Sequence, residues 1–379
     1  MEKDEEGFLY PVIDVNTCIR CMACVKVCAF HNKEYNEKIP GDQEVFALKH
    51  PDRDVRERSS SGGAFTLISD YVLAQGGSIY GAVFNESFEV IHSKACNRKQ
   101  RDKMRGSKYV QSNLGSIFKE VKSELETGKP VLFTGTPCQT GGLKSYLGRE
   151  YTGLILCDIV CHGGPSPKVW EDYRTYLEGK YRDKIRDINF RNKDSGWRNS
   201  FLKVEFNRSV YKKSMQEDPY YILFFSHLII RPSCHQCVYT SYHRESDITL
   251  ADFWGIENTG KAFPDDDTGV SLVLVNTKKG KDLIQSIRKD SEMVKSSHSA
   301  FYQPIFERPS KISPRRPLFW KEYFAKGNAA LVKYGKLTAT QWMIKKIIVP
   351  VLKKTGLYNR VVKICYSSWL CKDKQFREQ

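Results

Sequence analysis

The sequence predicts an α/β protein whose core is a parallel or mixed sheet, with a small cysteine-rich segment before it and a basic, α-helical tail after it. Three observations predict this. Two strands, Pro130-Val-Leu-Phe-Thr134 and Gly153-Leu-Ile-Leu-Cys-Asp-Ile-Val160, are nearly continuously apolar, and each runs through a Gly/Pro loop into a helical stretch. Strands that are apolar without alternation are buried on both faces, as in a parallel sheet covered by helices. Four cysteines crowd residues 18–28, and from residue 300 onward Pro, Lys and Arg become frequent.

The N-terminal run reads Cys18-Ile-Arg-Cys21-Met-Ala-Cys24-Val-Lys-Val-Cys28. Its C-x2-C-x2-C-x3-C spacing is that of bacterial ferredoxins, where thiolates hold a [4Fe–4S] cluster. Zinc sites pair C-x2–4-C with a second, distant pair and do not need three thiols in seven residues. The reading is therefore a ferredoxin-like iron–sulfur segment over residues 1–38. In two-cluster ferredoxins the fourth cysteine ligates the other cluster, and this chain has a single run. Cys28 either closes the local cluster in an altered wrap or belongs to half of a longer arrangement. Ala29 stands where Pro usually follows.

Residues 32–58 are polar and charged and read as a linker with a short strand at 45–48. Ser59-Ser60-Ser61-Gly62-Gly63 then opens an apolar-periodic helix from Ala64 to Ala74, closed by Gly76-Gly77; serines before and glycines after are cap signals. A strand is predicted at 78–84 and a helix at 114–127, with Ile117, Phe118, Val121 and Leu125 on one face. Gly135-Thr-Pro-Cys138-Gln leads into a helix toward Leu147. Cys161-His-Gly-Gly-Pro-Ser166-Pro167 leads into another at 169–178, with Ser166 as cap and Pro167 at its first position. Strands follow at 185–190 and 201–206 around a Gly196-Trp197 turn, a buried helix at 220–230, strands at 247–252 and 270–276, and a helix after Lys279. No repeat of 20–50 residues and no low-complexity tract is present.

Composition narrows the class. The chain has 379 residues, 40% of them hydrophobic, twelve cysteines and a net charge of +16. Its acidic N-terminus lacks the apolar stretch of a signal peptide, and no run of about eighteen apolar residues would span a membrane. Reduced thiols in a cytoplasmic protein suit metal clusters better than disulfides. The charge points to an anionic partner, but it is not concentrated in one block, which argues against nucleic acid.

Ligands of such sheets bind outside the carboxyl ends of the strands, which is where Cys138 and Cys161 fall. Cys234-His-Gln-Cys237 supplies a further C-x2-C pair. Together these four thiols make a second [4Fe–4S] site, or else two buried structural cysteines and a zinc-binding pair. Of the histidines, His162 is a proton-carrier candidate or a structural histidine, and His235 is expected to face solvent.

Seven separated motifs occur in a fixed order: Ser60-Ser61-Gly62-Gly63 with Thr66, Gly81-Ala-Val-Phe84, Ser107-Lys108-Tyr109, Gly135-Thr-Pro-Cys-Gln139, Cys161-His-Gly163, Cys234-x2-Cys237, and Asp247-Ile-Thr249 with Asp252-Phe-Trp-Gly255. In this the chain resembles the beta-subunit family of coenzyme F420-reducing hydrogenases and dehydrogenases, from residue 18 to about 290. The resemblance implies FAD and iron–sulfur clusters, with Cys138, Cys161, Cys234 and Cys237 as core cluster ligands. It also implies oxidoreductase activity, and some members are associated with surface-polysaccharide gene sets. A fused ferredoxin-type domain normally has two cysteine runs; here the first is missing, which bears on the N-terminal cluster and not on the core.

The expected organisation is thus a partial ferredoxin-type domain at 1–38, a flavin and iron–sulfur domain at 39–300, and a basic helical extension at 301–379. Ser60, Ser61, Gly62, Gly63 and Thr66 are expected at the FAD phosphates, where a helix N-terminus presents free N–H groups. The alternative for the segment is an ordinary N-cap. Lys108 either adds charge to that site or is a solvated surface lysine. The expected function is electron passage between a ferredoxin-like protein, Cys18, Cys21, Cys24 and Cys28, the core cluster, FAD and an unidentified substrate. A non-catalytic electron-transfer adaptor for another enzyme and a zinc-stabilised nucleic-acid-binding protein are the competing readings. The tail from Gln341 to Cys371 is basic and amphipathic, suited to an anionic membrane surface or to packing on the core.

Overall fold

The structure is a computed structural model that describes residues 1–30, 39–259, 263, 266–337, 347, 348 and 351. The N-terminal segment holds β1 (Glu2–Lys3), β2 (Leu9–Tyr10) and the single-turn helix α1 (Ala23–Lys26). In chain order there follow β3 (Glu44–Lys49), α2 (Arg53–Glu57), α3 (Ala64–Ala74), β4 (Ser78–Phe84), β5 (Val90–Ala95), α4 (Arg98–Asp102), α5 (Ile117–Glu126), β6 (Val131–Gly135), α6 (Pro137–Leu147), β7 (Leu154–Ile159) and α7 (Pro167–Tyr181). The second half contributes β8 (Ile185–Asn192), β9 (Phe201–Phe206), β10 (Val210–Ser214), α8 (Pro219–Phe225), β11 (Ile248–Asp252), β12 (Ser271–Val275), α9 (Lys278–Ile287), β13 (Glu292–Ser296), α10 (Arg316–Lys326) and α11 (Asn328–Tyr334).

Eight strands form the main sheet in the order β13-β3-β12-β11-β7-β6-β4-β5. The four central strands β4, β6, β7 and β11 are mutually parallel, and the outer pairings are antiparallel. The expected α/β core with a mixed sheet is therefore present. Because β3 runs antiparallel to β12, and β12 antiparallel to β11, β3 points the same way as the parallel set. The carboxyl ends of β3, β4, β6, β7 and β11 all open on one edge of the sheet.

The strand expected at 45–48 exists, but its surroundings are no linker. Val45, Phe46, Ala47 and Leu48 are all buried, and β3 sits inside the sheet between β12 and β13. The polar residues around it hid not the strand but its place in the sheet, because its pairing partners lie more than two hundred positions away.

Apolar residues cover both sheet faces. On one, Leu67, Ile68 and Val72 of α3 and Leu283, Ile284 and Ile287 of α9 pack on Ile79, Leu132, Val273 and Val275. On the other, Ile117, Val121 and Leu125 of α5 and Leu143 and Leu147 of α6 pack on Tyr80, Val131, Phe133 and Leu156. A second core joins α7, α8, α10 and α11 to the three-stranded antiparallel sheet β8–β10, and is built of large aromatics such as Trp170, Tyr173, Phe190, Tyr220 and Tyr221. Ser166 caps α7 as expected, accepting from Val169 N at 3.1 Å. The helix expected at 220–230 ends at Phe225, and His227 turns the chain with φ +58.

The N-terminal hairpin is fastened to this body. Phe8 is fully buried, Ser166 Oγ donates to Glu6 O, Glu6 pairs with Arg316, and Arg231 Nη2 donates to Leu9 O at 3.0 Å. At the Gly7 turn a Cβ would lie 2.6 Å from Lys168 Cβ, so the close approach needs glycine. Among the described residues no helix is long and apolar enough to cross a membrane. The amphipathic tail from 341 to 371 lies almost wholly outside the described residues.

Candidate functional site

A cavity of about 2090 Å³ opens along the carboxyl edge of the sheet. That is about twice the upper end of the roughly 300–1,000 Å³ usual for small-molecule sites, so it has room for more than one ligand. Ser60, Ser61, Gly63, Lys108, Cys24, Cys28, Cys138, Cys161, Cys234 and Cys237 all line it. Gly62 and Thr66, expected at the same site, do not. A Cβ at Gly62 would lie 2.4 Å from Leu48 O and 2.6 Å from Ser271 N, so this residue lets the loop pass tight against β3 and β12. The Thr66 hydroxyl is buried against Arg105, which donates from Nε at 3.3 Å.

The core cysteines come from three loops. Cys138 is the second residue of α6, whose start is fixed by a reciprocal cap between Thr136 and Gln139. Cys161 follows β7. Cys234 lies in a short 3-10 turn, Pro232–Gln236, with Cys237 just after it. All four are partly buried and unbonded to one another. Burial pushes the Cys161 thiol well up, with the charges of Cys234, Cys138 and Cys237 adding to the effect, and Cys138 and Cys234 also rise, Cys234 to about 12. Among the described residues no three His, Cys, Asp or Glu side chains gather tightly enough to hold a single metal ion.

Sulfur atoms here already meet donors of the kind that surround iron–sulfur clusters. Gly164 N donates to Cys234 Sγ at 3.4 Å, and Thr136 Oγ1 stands 3.2 Å from Cys138 Sγ. Arg231 acts electrostatically on both Cys138 and Cys234, lowering them against the effect of burial. Four thiols from three segments, an N–H and a hydroxyl at the sulfurs, and one neighbouring cation fit a thiolate-held cluster.

The N-terminal thiols contrast with these: Cys18, Cys21, Cys24 and Cys28 are exposed. Arg20 and Met22 adopt left-handed conformations at φ +56 and +58, which curl the run tightly between its cysteines. Arg20 N donates to Cys18 Sγ at 3.4 Å.

At the start of α3 the serines do not cap. Ser59 Oγ donates back to Val55 O at 2.7 Å and Ser61 Oγ to Val270 O at 2.6 Å, while Ser60 Oγ accepts from Ser107 N at 2.6 Å and from Ser107 Oγ at 2.8 Å. Gly63, left-handed at φ +90, holds the N-cap position without a side-chain bond. From across the sheet Ser271 Oγ accepts from Gly62 N at 3.0 Å and from Ala64 N at 3.4 Å, while Ser60, Ser61 and Gly63 line the cavity. Lys108 is no solvated surface lysine. Its ammonium donates to the carbonyls of Met104, Arg105 and Gly106, and burial lowers it to about 8. Basic side chains outnumber acidic ones on the cavity wall. Among them Arg191 is bound to Asp252 at 2.9 Å and leaves its buried Nε and Nη2 without partners.

The Gly196-Trp197 turn and the Asp252-Phe-Trp-Gly255 motif meet here, a pairing the sequence does not show. Trp197 and Trp254 stack at 4.5 Å, and Trp197 Nε1 donates to Asp252 Oδ1 at 2.8 Å, fixing the end of β11. The expectation for His235 is overturned: it is buried, and its Nδ1 binds Ser310 O at 2.7 Å. The turn after Arg231 tucks this ring inward so that the flanking cysteines face the cavity. His162 Nε2 lies 3.0 Å from His227 Nε2, and His227 Nδ1 must donate to Lys311 O at 2.7 Å. His227 Nε2 is thus the acceptor and His162 Nε2–H the donor. Burial lowers His162 to about 4, so it is a neutral structural partner near neutral pH.

Comparison with known proteins agrees with the motif reading over the stretch that holds the last four motifs. Residues 128–299 match the family described as the C terminus of the coenzyme F420 hydrogenase/dehydrogenase beta subunit. No curated protein matches the chain. Among solved structures, the F420-reducing [NiFe] hydrogenase complex from Methanosarcina barkeri, studied by xenon derivatization, contains a chain 18% identical to this one. The match covers 79% of this chain and 91% of that one, with a TM-score of 0.45.

Proposed function

We propose, from the premise that residues 128–299 belong to the F420 hydrogenase/dehydrogenase beta-subunit family, that this chain is an iron–sulfur flavoprotein oxidoreductase. In this reading it moves electrons between a ferredoxin-like protein, clusters held by its two cysteine sets, FAD and a small-molecule substrate. The observation that carries the reading is that Cys138, Cys161, Cys234 and Cys237 line one cavity together with Ser60, Ser61 and Gly63 at the start of α3.

Cys138, Cys161, Cys234 and Cys237 would hold a core [4Fe–4S] cluster, and Cys18, Cys21, Cys24 and Cys28 an N-terminal one. Ser60, Ser61 and Gly63 would meet the FAD diphosphate with backbone N–H groups, and Ser60 also with its hydroxyl, while Lys108 braces the loop behind them. Bound flavin and clusters together would supply conversion between two-electron and one-electron chemistry. The protein's own part is to orient them: Thr136 and Gly164 direct donors at the core sulfurs, Arg231 offsets their negative charge, and the apolar lining limits water. The cavity volume favours a substrate site over a pure electron-transfer adaptor. Surface-polysaccharide synthesis is the pathway setting that the resemblance suggests for the substrate.

Titration of FAD into the anaerobically reconstituted chain tests the flavin. Quenching of flavin fluorescence at one equivalent is expected. Unquenched flavin at every ratio would overturn the flavin part of the proposal.

A further inference from the structure

Tyr239 lies two residues beyond the last core cysteine and is almost fully buried. Its hydroxyl donates to the carbonyl of Ala29, the residue after Cys28. Its ring meets Phe30 edge-on at 6.0 Å. Helix α6 is shaped to receive it. A Cβ at Gly141 would lie 2.5 Å from the Tyr239 hydroxyl, and one at Gly142 would lie 3.5 Å from Ala29 Cβ. Glycine inside a helix is less favourable than alanine. Here Gly141 opens the space through which Tyr239 reaches the N-terminal segment.

We infer that Tyr239, seated on Gly141, is a latch that holds the Cys18–Cys28 loop against the core cysteine site and sets the separation between the two. The loop is otherwise tied to the body through the hairpin at residues 2–10 and through the chain that leads on to β3. Among the described residues Ala23–Lys26 buries no side chain, so that turn does not anchor the loop itself. Tyr239 is a positioning residue: it touches the chain beside each cysteine set and ligates nothing. The consequence for redox chemistry rests on the function proposed above; the latch itself does not.

The test uses the full chain, with Tyr239→Phe removing only the hydroxyl and Gly141→Ala pushing the ring from the opposite side. Hydrogen–deuterium exchange over residues 23–30 is compared among the three proteins. The expected result is roughly tenfold faster exchange there in both variants, the loss of about one hydrogen bond, with the β6 and β7 strands unchanged. Equal exchange over residues 23–30 in all three would overturn the latch. In iron-loaded, reduced protein, the wild type should show an EPR signal broadened by spin–spin coupling between two clusters, and Tyr239→Phe should narrow it at unchanged iron content. Unchanged broadening would overturn the claim that the latch sets the separation. Absence of iron and sulfide from the wild type would instead count against the proposed function, while the exchange comparison would still decide the latch.

Discussion

The two cysteine sets of this chain are built in opposite ways. Cys18, Cys21, Cys24 and Cys28 come from one eleven-residue loop, stay exposed and owe their proximity to left-handed turns at Arg20 and Met22. Cys138, Cys161, Cys234 and Cys237 come from loops up to a hundred positions apart and are brought together only when β6, β7 and the turn after Arg231 are in place. A local site can bind iron whenever its loop is reduced. An assembled site binds only after the sheet has formed, and its burial leaves the thiols reluctant to ionise until metal replaces the proton.

The largest expected effect that would sharpen this contrast is on Cys237→Ala. It should abolish the core iron signal while the N-terminal run still binds iron, measured as iron and acid-labile sulfide per chain. Concerted loss of all iron would show that the two sites are not independent. Next, Cys18→Ala should remove about half the iron and leave FAD bound, as read from the visible spectrum. Loss of the flavin with it would break the separation between segment and core.

A smaller effect separates the sets without any metal. In the iron-free folded chain, alkylation near neutral pH should modify the exposed run first. Cys234, pushed up to about 12 by burial, should react on the order of 100-fold more slowly. Peptide mapping at timed intervals measures this, and equal rates would contradict the assembled, buried site.

The smallest effect is on acid stability. His92 on β5 is buried, stacks on Phe133 at 5.5 Å, and binds Thr134 O through Nε2 at 3.0 Å; burial lowers it from 6.5 to about 4. The unfolded chain therefore gains a proton near 6.5 that the folded chain refuses. Stability present above pH 6.5 should be lost as pH falls toward 4, by an amount on the order of 3 kcal/mol. Thermal melting of the iron-free chain across that window measures the slope. A flat profile would contradict the buried, neutral state of His92.

What could be read from the sequence follows the same division. The N-terminal run is a local pattern and was legible from spacing alone. The β6-loop-α6 and β7-loop-α7 units were legible because continuous apolar strands and cap residues are also local signals, and so Cys138 and Cys161 fell at strand ends as expected. Long-range facts were not legible. The strand at 44–49 is legible as a strand, but not its seat inside the main sheet, because its partners β12 and β13 lie far away in sequence. Ser59, Ser60 and Ser61 looked like caps, yet each hydroxyl found another partner, one of them Ser107. His235 looked solvent-facing until residues near 310 closed over it. Tyr239 and Arg231 carried no motif; only Gly141-Gly142 inside a helical stretch signalled that something approaches α6 closely.

The central claim is that one chain carries two thiolate-held clusters beside a flavin site. Iron and acid-labile sulfide, counted on anaerobically purified wild-type protein, test it most directly. The account predicts about eight of each per chain, the content of two [4Fe–4S] clusters. Zinc without sulfide, at any stoichiometry, would contradict it.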